Sequence, residues 1–484
     1  MTYVVRNSHG VSYQPVDKSS GVTGENATKN MAKHVANLKY EMLPAALVDL
    51  MKQCVLDTLG VSFGASGMAP EGRIAHEYVK SLEGKGESTI FGFGGKAPAA
   101  WAVFVNGGLG HMLDYDDLGG GHCSIATIPA AFALGEKKGG LAGRDLITAV
   151  AAGTDVMTRL DVSIPIPEWT AAEGWFATQL FGFISAAATG GHVLGLDAEQ
   201  MENAMGIGFN QLSGTRQMAA GASTHMRSMQ AGFSGQGGVM GALLAQRGMI
   251  GDKDFLEGKY GLYKTYVRTN DPDWDALVGD LGKRFTLLQT HGFKVWPACG
   301  YTRPTNAATL HLRREHKLQP EDVEHITIIG GHSNTQQLSE PLEKKRRPKI
   351  AIDGKFSVPF TTAVMMAKGN VTLRDYTDEG LKDPVVLAMA DRVSYRPVAA
   401  NEERTQFPEV EIKTRDGRTL RHKASNLPGD PENPADWALL ETKFRDCMSF
   451  SVKPPSARQL DQVIAMVHDL ENLKDATEIL RVLS

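Results

Sequence analysis

Apolar residues recur at three- and four-residue intervals through most of the chain between about Leu38 and Tyr266. This spacing aligns them along one face of a helix, so the pattern predicts a helical domain. Gly195 and Asp197 predict a corner, at which one helix ends at the glycine and the next begins with the aspartate as its N-cap. The segments predicted to be helical are 41–65, 97–113, 143–163, 175–194, 198–213 and 229–248.

The pattern changes after Phe293, where short β-branched stretches replace the helical spacing. Residues 323–329 alternate partly between apolar and polar side chains, which predicts a strand. Two further stretches, 410–414 and 418–421, flank an Asp-Gly dipeptide that is typical of a hairpin turn. We therefore expect a smaller mixed α/β domain in this part of the chain.

Prolines at the end of this region indicate a linker, beyond which helical spacing returns.

The first 35 residues are polar and lack the apolar stretch of a signal peptide, so we expect a surface arm. The predicted fold is mainly α with an α+β lid: N-terminal and C-terminal segments form a large all-helical domain, and a smaller mixed α/β domain is added. The predicted divisions are 1–35 for the arm, 36–290 for the helical domain, 291–430 for the lid and 431–484 for C-terminal helices that pack back on the helical domain.

Composition limits the classes of partner. The chain has 51 basic and 55 acidic residues, so its net charge of −4 favours neither nucleic acid nor an anionic membrane. No apolar run approaches the roughly 20 residues of a membrane span. The four cysteines are widely separated and include no C-x-x-C pair, which argues against a disulfide scaffold or a zinc motif. These features predict a soluble, cytoplasmic protein without a nucleic-acid or membrane partner.

The densest polar cluster runs from His111 to Asp117 and is followed by three glycines and His122. A helix that reaches this point places His111 and Asp114 on one face, because they are three positions apart. The glycines, Gly119–Gly121, would let the backbone approach a ligand closely. Two other interpretations stay open: a solvated helix end with a glycine loop, or a divalent metal site, whose ligand set spacing cannot define. We predict no metal.

The segment from Asn106 to Glu136 resembles the MmgE/PrpD family through Asn-Gly-x-x-x-His-x-Leu-Asp-Tyr-Asp-Asp, followed by His-x-Ser-x-x-x-x-Pro-Ala and Glu. That family contains 2-methylcitrate dehydratases, cis-aconitate decarboxylases and iminodisuccinate epimerases. Further motifs continue the resemblance in the expected order over roughly residues 36–480. They are Gly174–Thr178, Leu194–Asp197, Leu256–Gly261, Lys294–Cys299 and Lys355–Ser357.

The resemblance implies a helical domain topped by an α/β lid, a homodimer, a site between the two domains and a reaction that needs no cofactor. It places Asp114 and His122 at polar active-site positions of the dehydratase and decarboxylase branches. It also places Lys294 and Lys355 at recurrent lysine positions of the family, where we expect them to bind substrate carboxylates.

Three positions depart from the family pattern. Phe176 stands where those branches carry a histidine, Arg227 replaces a lysine, and Arg303 replaces a histidine. An arginine presents a rigid fork that pairs with a carboxylate through two hydrogen bonds, so Arg227 and Arg303 are predicted to bind substrate carboxylates. The alternatives are an exposed helix charge for Arg227 and a salt bridge to the Asp114–Asp117 acids for Arg303.

Because Phe176 and Arg303 stand where the family carries histidines, other residues must be assigned to proton transfer. We predict that His122 is a general acid or base and that Asp114 orients it. Tyr301 is a second candidate proton donor, although a phenol titrates only near about pH 10 unless positive charges lie close to it. His225, two positions before Arg227, is a candidate for a relocated base, but a lone histidine is more often a packed or surface residue.

The predicted function is removal of a proton next to a carboxylate of a small di- or tricarboxylate, with elimination of water as the leading outcome. The same intermediate can be reprotonated on its opposite face, as in an epimerase, or follow from loss of carbon dioxide, as in a decarboxylase. Iminodisuccinate and cis-aconitate are the corresponding substrates in the family. A different class, a non-catalytic carboxylate-binding protein that keeps the fold, is the remaining alternative.

Overall fold

A computed structural model of the protein describes residues 5–6, 12–13, 21–165, 173–220, 224–331, 333–398 and 407–484. Contacts divide the chain into two compact units, Met1–Phe293 with Asp436–Ser484, and Lys294–Ala435. The first is helical and the second is mixed α/β, so the predicted fold class is confirmed. No helix in the described ranges combines the length and the apolar character that crossing a membrane requires.

Helices form the core of the first unit. Each of the six segments with helical spacing is a helix, and the apolar stretch after Cys123 forms a further one. Glycines let these helices approach closely: a Cβ atom added at Gly238 would lie 2.6 Å from the Cβ of Ala186. The helices are α1 Ala27–Asn37, α2 Ala45–Met68, α3 Pro70–Ser81, α4 Ala99–Met112, α5 Ser124–Lys137, α6 Gly143–Val162, α7 Ala177–Val193, α8 Ala198–Asn210, α9 Gln217–Ala220, α10 Met226–Gln246, α11 Trp274–Val278 and α12 Leu287–Thr290.

The prediction of a polar arm up to residue 35 is wrong for its last part. Residues 27–37 form α1, and Met31, Ala32 and Val35 are buried on one face of it. Thr28 donates from its hydroxyl to Glu257 at 2.6 Å, which fixes the start of the helix. The polar composition concealed α1 because only one narrow face of the helix carries apolar side chains.

The predicted corner between two helices is confirmed. Gly195 ends α7 in the left-handed region at φ 68°, which a glycine adopts without steric penalty. Asp197 caps α8, because its carboxylate accepts from the Gln200 backbone N–H at 2.9 Å and the Gln200 side chain accepts from the Asp197 N–H.

Short strand pairs complete the first unit. One pair is antiparallel and joins residues 117–118 to residues 292–293. It therefore connects the polar loop after α4 to the strand that ends the N-terminal segment of the unit. These strands are β1 Val5–Arg6, β2 Ser12–Tyr13, β3 Ser88–Thr89, β4 Lys96–Ala97, β5 Asp117–Leu118 and β6 Gly292–Phe293.

The C-terminal helices belong to the first unit. The first of them packs on α2 where α2 carries glycines: a Cβ atom at Gly60 would lie 3.1 Å from the Cα of Phe444, and one at Gly64 would lie 2.6 Å from the carbonyl oxygen of Cys447. Larger residues at these two positions of α2 would push the helices apart. The helices are α19 Trp437–Ser449, α20 Ala457–His468 and α21 Glu478–Leu483.

The second unit is built on a four-stranded sheet. Its strands are β7 Val323–Ile329, β8 Val393–Arg396, β9 Glu409–Thr414 and β10 Thr419–His422, and its helices are α13 Arg303–Glu315, α14 Ser333–Ser339, α15 Leu342–Arg346, α16 Ala351–Lys355, α17 Val358–Lys368 and α18 Pro384–Ala390. The strand order in the sheet is β10-β9-β7-β8. The predicted hairpin is confirmed, since β9 and β10 pair antiparallel with Lys413 opposite Thr419. Buried residues of β7 and β9, including Ile326 and Ile412, form a core with α17.

Candidate active site

The polar loop after α4 is buried and tightly packed. Asp114 and His122 both lie in the left-handed region, at φ 50° and 63°, which is strained for residues with a side chain. Gly119 and Gly120 pack against other residues of the protein. A Cβ atom added at Gly119 would lie 2.2 Å from the carbonyl oxygen of Thr290, and one at Gly120 would lie 2.2 Å from Cγ2 of Thr158. Gly119 and Gly120 therefore allow close packing within the first unit, which differs from the expectation that they let the backbone approach a ligand.

Two buried histidines share one carboxylate. Nδ1 of His111 and Nδ1 of His122 lie 3.0 Å and 2.6 Å from the same oxygen, Oδ2 of Asp116. Nδ1 of His122 also lies 2.7 Å from the backbone carbonyl of Asp117. Because carboxylate and carbonyl oxygens accept, Nδ1 of each ring carries a hydrogen.

The pKa of His111 is shifted by its buried surroundings. Burial lowers its pKa below the ordinary histidine value, and the attraction of Asp116 only partly offsets this effect. Its Nε2 atom is buried and has no hydrogen-bond partner among the described residues. A neutral imidazole with a lone pair on Nε2 is suited to accept a proton.

Arg227 lies close to both Asp114 and Phe176. Nη2 of Arg227 is 3.9 Å from Oδ2 of Asp114, and the guanidinium carbon lies 5.1 Å from the centre of the Phe176 ring. A guanidinium over an aromatic face is stabilised by the ring quadrupole. Two of the three positions that depart from the family pattern are therefore in contact, and Arg227 is also next to an acid singled out from the sequence.

A second buried polar group is centred on Asp117 and His291. Oδ2 of Asp117 is 3.0 Å from Nε2 of His291 and accepts from Ser124, through its backbone N–H at 3.1 Å and its hydroxyl at 2.7 Å. Sγ of Cys123 lies 3.4 Å from the same oxygen, and Sγ of Cys54 lies 3.5 Å from Nε2 of His291. Burial opposes the charge on His291, but Cys54 and Asp117 raise its pKa to about 10.

The C-terminal helix α19 supports the loop. Nζ of Lys443 donates to the carbonyl of Tyr115, lies 4.0 Å from the centre of that ring, and is 2.6 Å from Oδ1 of Asp57 on α2. Burial raises the pKa of Asp57 to about 6, against the opposing influence of Lys443. One lysine thus connects two helices to the backbone of the loop.

The remaining predicted residue of the first unit, His225, is exposed at the start of α10. In the second unit, Lys294 and Lys355 are buried, and Lys355 lies 5.8 Å from the centre of the Tyr376 ring. Tyr301 is half-buried in a 3-10 turn.

Arg303 is buried in the second unit and has a partner there. Its Nη2 atom forms an ion pair with Oδ1 of Asp430 and donates to the carbonyl of Pro428 at 2.8 Å. The suggested salt bridge from Arg303 to the Asp114–Asp117 acids is therefore replaced by one to Asp430.

Sequence reasoning missed the roles that geometry gives to Asp116 and His291. Helical spacing pairs His111 with Asp114, but the chain leaves the helix at Met112, so the carboxylate that returns to His111 is that of Asp116. His291 is 174 residues from Asp117, and only the pairing of β5 with β6 brings the two together. No local pattern signals a contact of that kind.

Two sets of buried side chains have the ligand types that metals bind: His111, Asp116 and His122, and Asp117, Cys123 and His291. In the first set, one carboxylate oxygen lies at hydrogen-bonding distance from both rings, which suits proton transfer. The second set differs from the first in that one of its three side chains, Cys123, is a thiol.

Comparisons with known proteins agree with this architecture. The MmgE/PrpD N-terminal domain model matches residues 29–275, and the MmgE/PrpD C-terminal domain model matches residues 296–469. The chain therefore belongs to the MmgE/PrpD family.

Its relatives include the cis-aconitate decarboxylase of Mus musculus, which is 24% identical over 95% of this chain and 93% of its own length. The cis-aconitate decarboxylase of Aspergillus terreus strain NIH 2624 is 25% identical over 96% of both chains. A cis-aconitate decarboxylase-like protein of Aspergillus oryzae is 24% identical over 95% of this chain and 97% of its own. Decarboxylases are lyases, so these relatives indicate a lyase-type enzyme.

Proposed function

We propose that the protein is a lyase that eliminates water from a small hydroxylated di- or tricarboxylate, without a cofactor. The observation that carries this proposal is the pair of buried histidines on one carboxylate, Asp116. Elimination of water needs two proton transfers, one from carbon to a base and one from an acid to the departing hydroxyl. Two rings held 4.8 Å apart supply two such groups.

In the proposed reaction, Nε2 of His111 removes the proton from the carbon next to a carboxylate, because burial keeps this ring neutral. The electron pair then forms the double bond and the carbon–oxygen bond breaks. His122 enters this step doubly protonated and gives its second proton to the hydroxyl, which leaves as water, while His111 keeps the proton taken from carbon. Asp116 positions both rings through Nδ1 and stabilises whichever ring carries the extra proton.

Arg227 is the proposed clamp for a substrate carboxylate. It is a partly buried guanidinium beside Asp114, and stacking on Phe176 fixes the plane of its fork. Arg303 already pairs with Asp430, so we assign it a structural role instead of the predicted substrate contact. Lys294 and Lys355 stay predicted carboxylate-binding residues, and Tyr301 stays a predicted proton donor.

Decarboxylation is the second candidate, and the names of the relatives favour it. Loss of carbon dioxide leaves an electron pair on carbon, which needs one proton donor and positive charge near the developing enolate. The same histidine pair and Arg227 provide these groups. Two positions that depart from the family pattern, Phe176 and Arg227, argue for a substrate that differs from the family's usual ones.

The experiment incubates the purified protein with a panel of four- to seven-carbon di- and tricarboxylates in D₂O and follows products by mass spectrometry and NMR. An unsaturated product formed with loss of water, and deuterium exchange at the carbon next to a carboxylate of the substrate, would support the proposal. Release of carbon dioxide would select the second candidate. Inversion with deuterium uptake would identify an epimerase.

Saturable binding of these acids without exchange or turnover would overturn the enzymatic proposal and identify a carboxylate-binding protein. The matched control is the Asp116→Asn variant, which keeps the size of the side chain but removes the charge that both rings contact. Exchange that is equally fast in this variant would place the chemistry elsewhere in the protein.

A further inference from the structure

Four side chains from distant parts of the sequence meet in the interior of the first unit: Cys54, Asp117, Cys123 and His291. The ligand-type atoms of the last three all lie within 4.8 Å of one another, and the fourth, Sγ of Cys54, is 3.5 Å from Nε2 of His291. All four residues are buried. We call this group the Cys54 cluster.

Three distances between neighbouring atoms of the cluster are close to the edges of a tetrahedron around a metal ion. Zinc binds sulfur at about 2.3 Å and nitrogen or oxygen at about 2.0–2.2 Å, so tetrahedral ligands lie roughly 3.3–3.8 Å from one another. The cluster has a sulfur–oxygen distance of 3.4 Å, a sulfur–nitrogen distance of 3.5 Å and a nitrogen–oxygen distance of 3.0 Å. The group whose ligand atoms all lie within 4.8 Å of one another contains Asp117, Cys123 and His291 but not Cys54, so closing the tetrahedron requires Sγ of Cys54 to move toward the other ligands.

We propose that the Cys54 cluster is a structural zinc site, held by two thiolates, one imidazole and one carboxylate. Two sulfur ligands and one imidazole favour zinc over magnesium or calcium, which prefer oxygen. Four protein ligands fill a tetrahedron and leave no open position, as in structural zinc sites. The site stands independently of the proposed reaction, which uses His111 and His122.

The fold explains why these ligands meet. Cys54 lies in α2, Cys123 precedes α5, and Asp117 and His291 are brought together by the pairing of β5 with β6. A zinc ion there would join α2, the polar loop and His291, which directly precedes β6. Its role would be to hold that loop in place, since Asp117 directly follows the carboxylate that both catalytic histidines contact.

The experiment uses the full chain, purified without chelator, incubated with Zn²⁺ and separated from excess ion by gel filtration. Elemental analysis should find about one zinc ion per chain. The Cys54→Ala/Cys123→Ala double variant should lose this ion, whereas Cys447→Ala, which removes a buried thiol outside the cluster, should retain it. Cobalt substitution should give a thiolate charge-transfer band and tetrahedral visible absorption in the wild type.

A wild-type protein that retains no zinc would overturn the proposal. Equal zinc in the double variant and the wild type would also overturn it, because the ion would then lie elsewhere, such as on His111, Asp116 and His122. X-ray absorption on the zinc-loaded wild type keeps the test decisive if the double variant fails to fold. Sulfur neighbours at about 2.3 Å support the site, and a shell of nitrogen and oxygen alone refutes it.

Discussion

The rings of His111 and His122 lie 4.8 Å apart at an angle of 64°, and both direct Nδ1 to the same oxygen of Asp116. A carboxylate that orients one ring of a catalytic pair is common, but here one oxygen orients both. The two rings therefore depend on a single side chain for their tautomer and their position.

Replacing Asp116 by Asn should lower kcat by about 10²–10⁴, the range of general acid–base catalysis, and should shift the pH profile. The amide cannot accept from both rings with the strength of a carboxylate, so the neutral tautomers are no longer fixed. The measurement is kcat and kcat/KM against pH. Asp114→Asn is the comparison, and its main effect should be on KM, through Arg227; equal effects of the two variants would reject this division of roles.

His111→Gln and His122→Gln should each abolish most turnover, by about 10²–10⁴ in kcat, while circular dichroism shows that the fold is kept. The effects of the two substitutions should not be additive, because the rings act as one unit. His225→Gln tests the alternative base. Since His225 is exposed, its substitution should leave kcat unchanged, and a large loss of kcat there would move the base to α10.

Arg227→Lys keeps the charge but loses the fork and the stacking on Phe176. We expect kcat/KM to fall by about 1.5–3 kcal/mol, the scale of charged hydrogen bonds. Phe176→Leu should cause a smaller loss in the same direction, because it removes only the stacking. Unaltered kinetics of both variants on the true substrate would show that Arg227 does not bind it.

Arg303→Met should lower the free energy of unfolding by about 3–5 kcal/mol, because it leaves the carboxylate of Asp430 buried without its countercharge. Arg303→Lys should lose less, since it keeps the charge. Denaturant titration of the whole chain measures both. A loss of substrate affinity without a loss of stability would instead return Arg303 to its predicted role as a carboxylate clamp.

Asp57 should make stability depend on pH. Burial raises its pKa from the ordinary 3.8 to about 6, so between these values the folded protein holds a proton that the unfolded chain has lost. The contribution of Asp57 to the free energy of unfolding is therefore full below about pH 3.8 and falls as the pH rises to about 6, by up to about 3 kcal/mol.

Denaturant titrations between pH 4 and 7 test this dependence. Asp57→Asn should flatten the slope, and the exposed Asp461→Asn is the control that should keep it. A slope that is unchanged in Asp57→Asn would assign the dependence to another group.

The sequence predicts the elements of this fold well because each has a local cause. The helices around Gly238 follow from apolar spacing, the corner at Asp197 from its capping box, and the hairpin of β9 and β10 from an Asp-Gly turn. Helix α1 does not stand out in the sequence because its buried face is only a few residues wide.

The candidate site could be predicted only in part. Local motifs identify the loop and His122, but they cannot show which of three neighbouring acids meets the ring, since that depends on where α4 ends and how the loop turns back. Contacts between Asp117 and His291, or between Arg303 and Asp430, join residues more than 100 positions apart. Such pairs follow from tertiary packing, which leaves no signal in spacing.

The contact of Lys443 with Asp57 and with the carbonyl of Tyr115 sets an order of events during synthesis. Asp57 and the polar loop emerge from the ribosome long before the lysine that neutralises and anchors them. Until α19 has been made, the nascent first unit holds an acid beside its loop without the countercharge it has in the finished fold. A chain that stops before Asp436 should therefore retain much of its helical structure but fail to hold the loop in its working conformation.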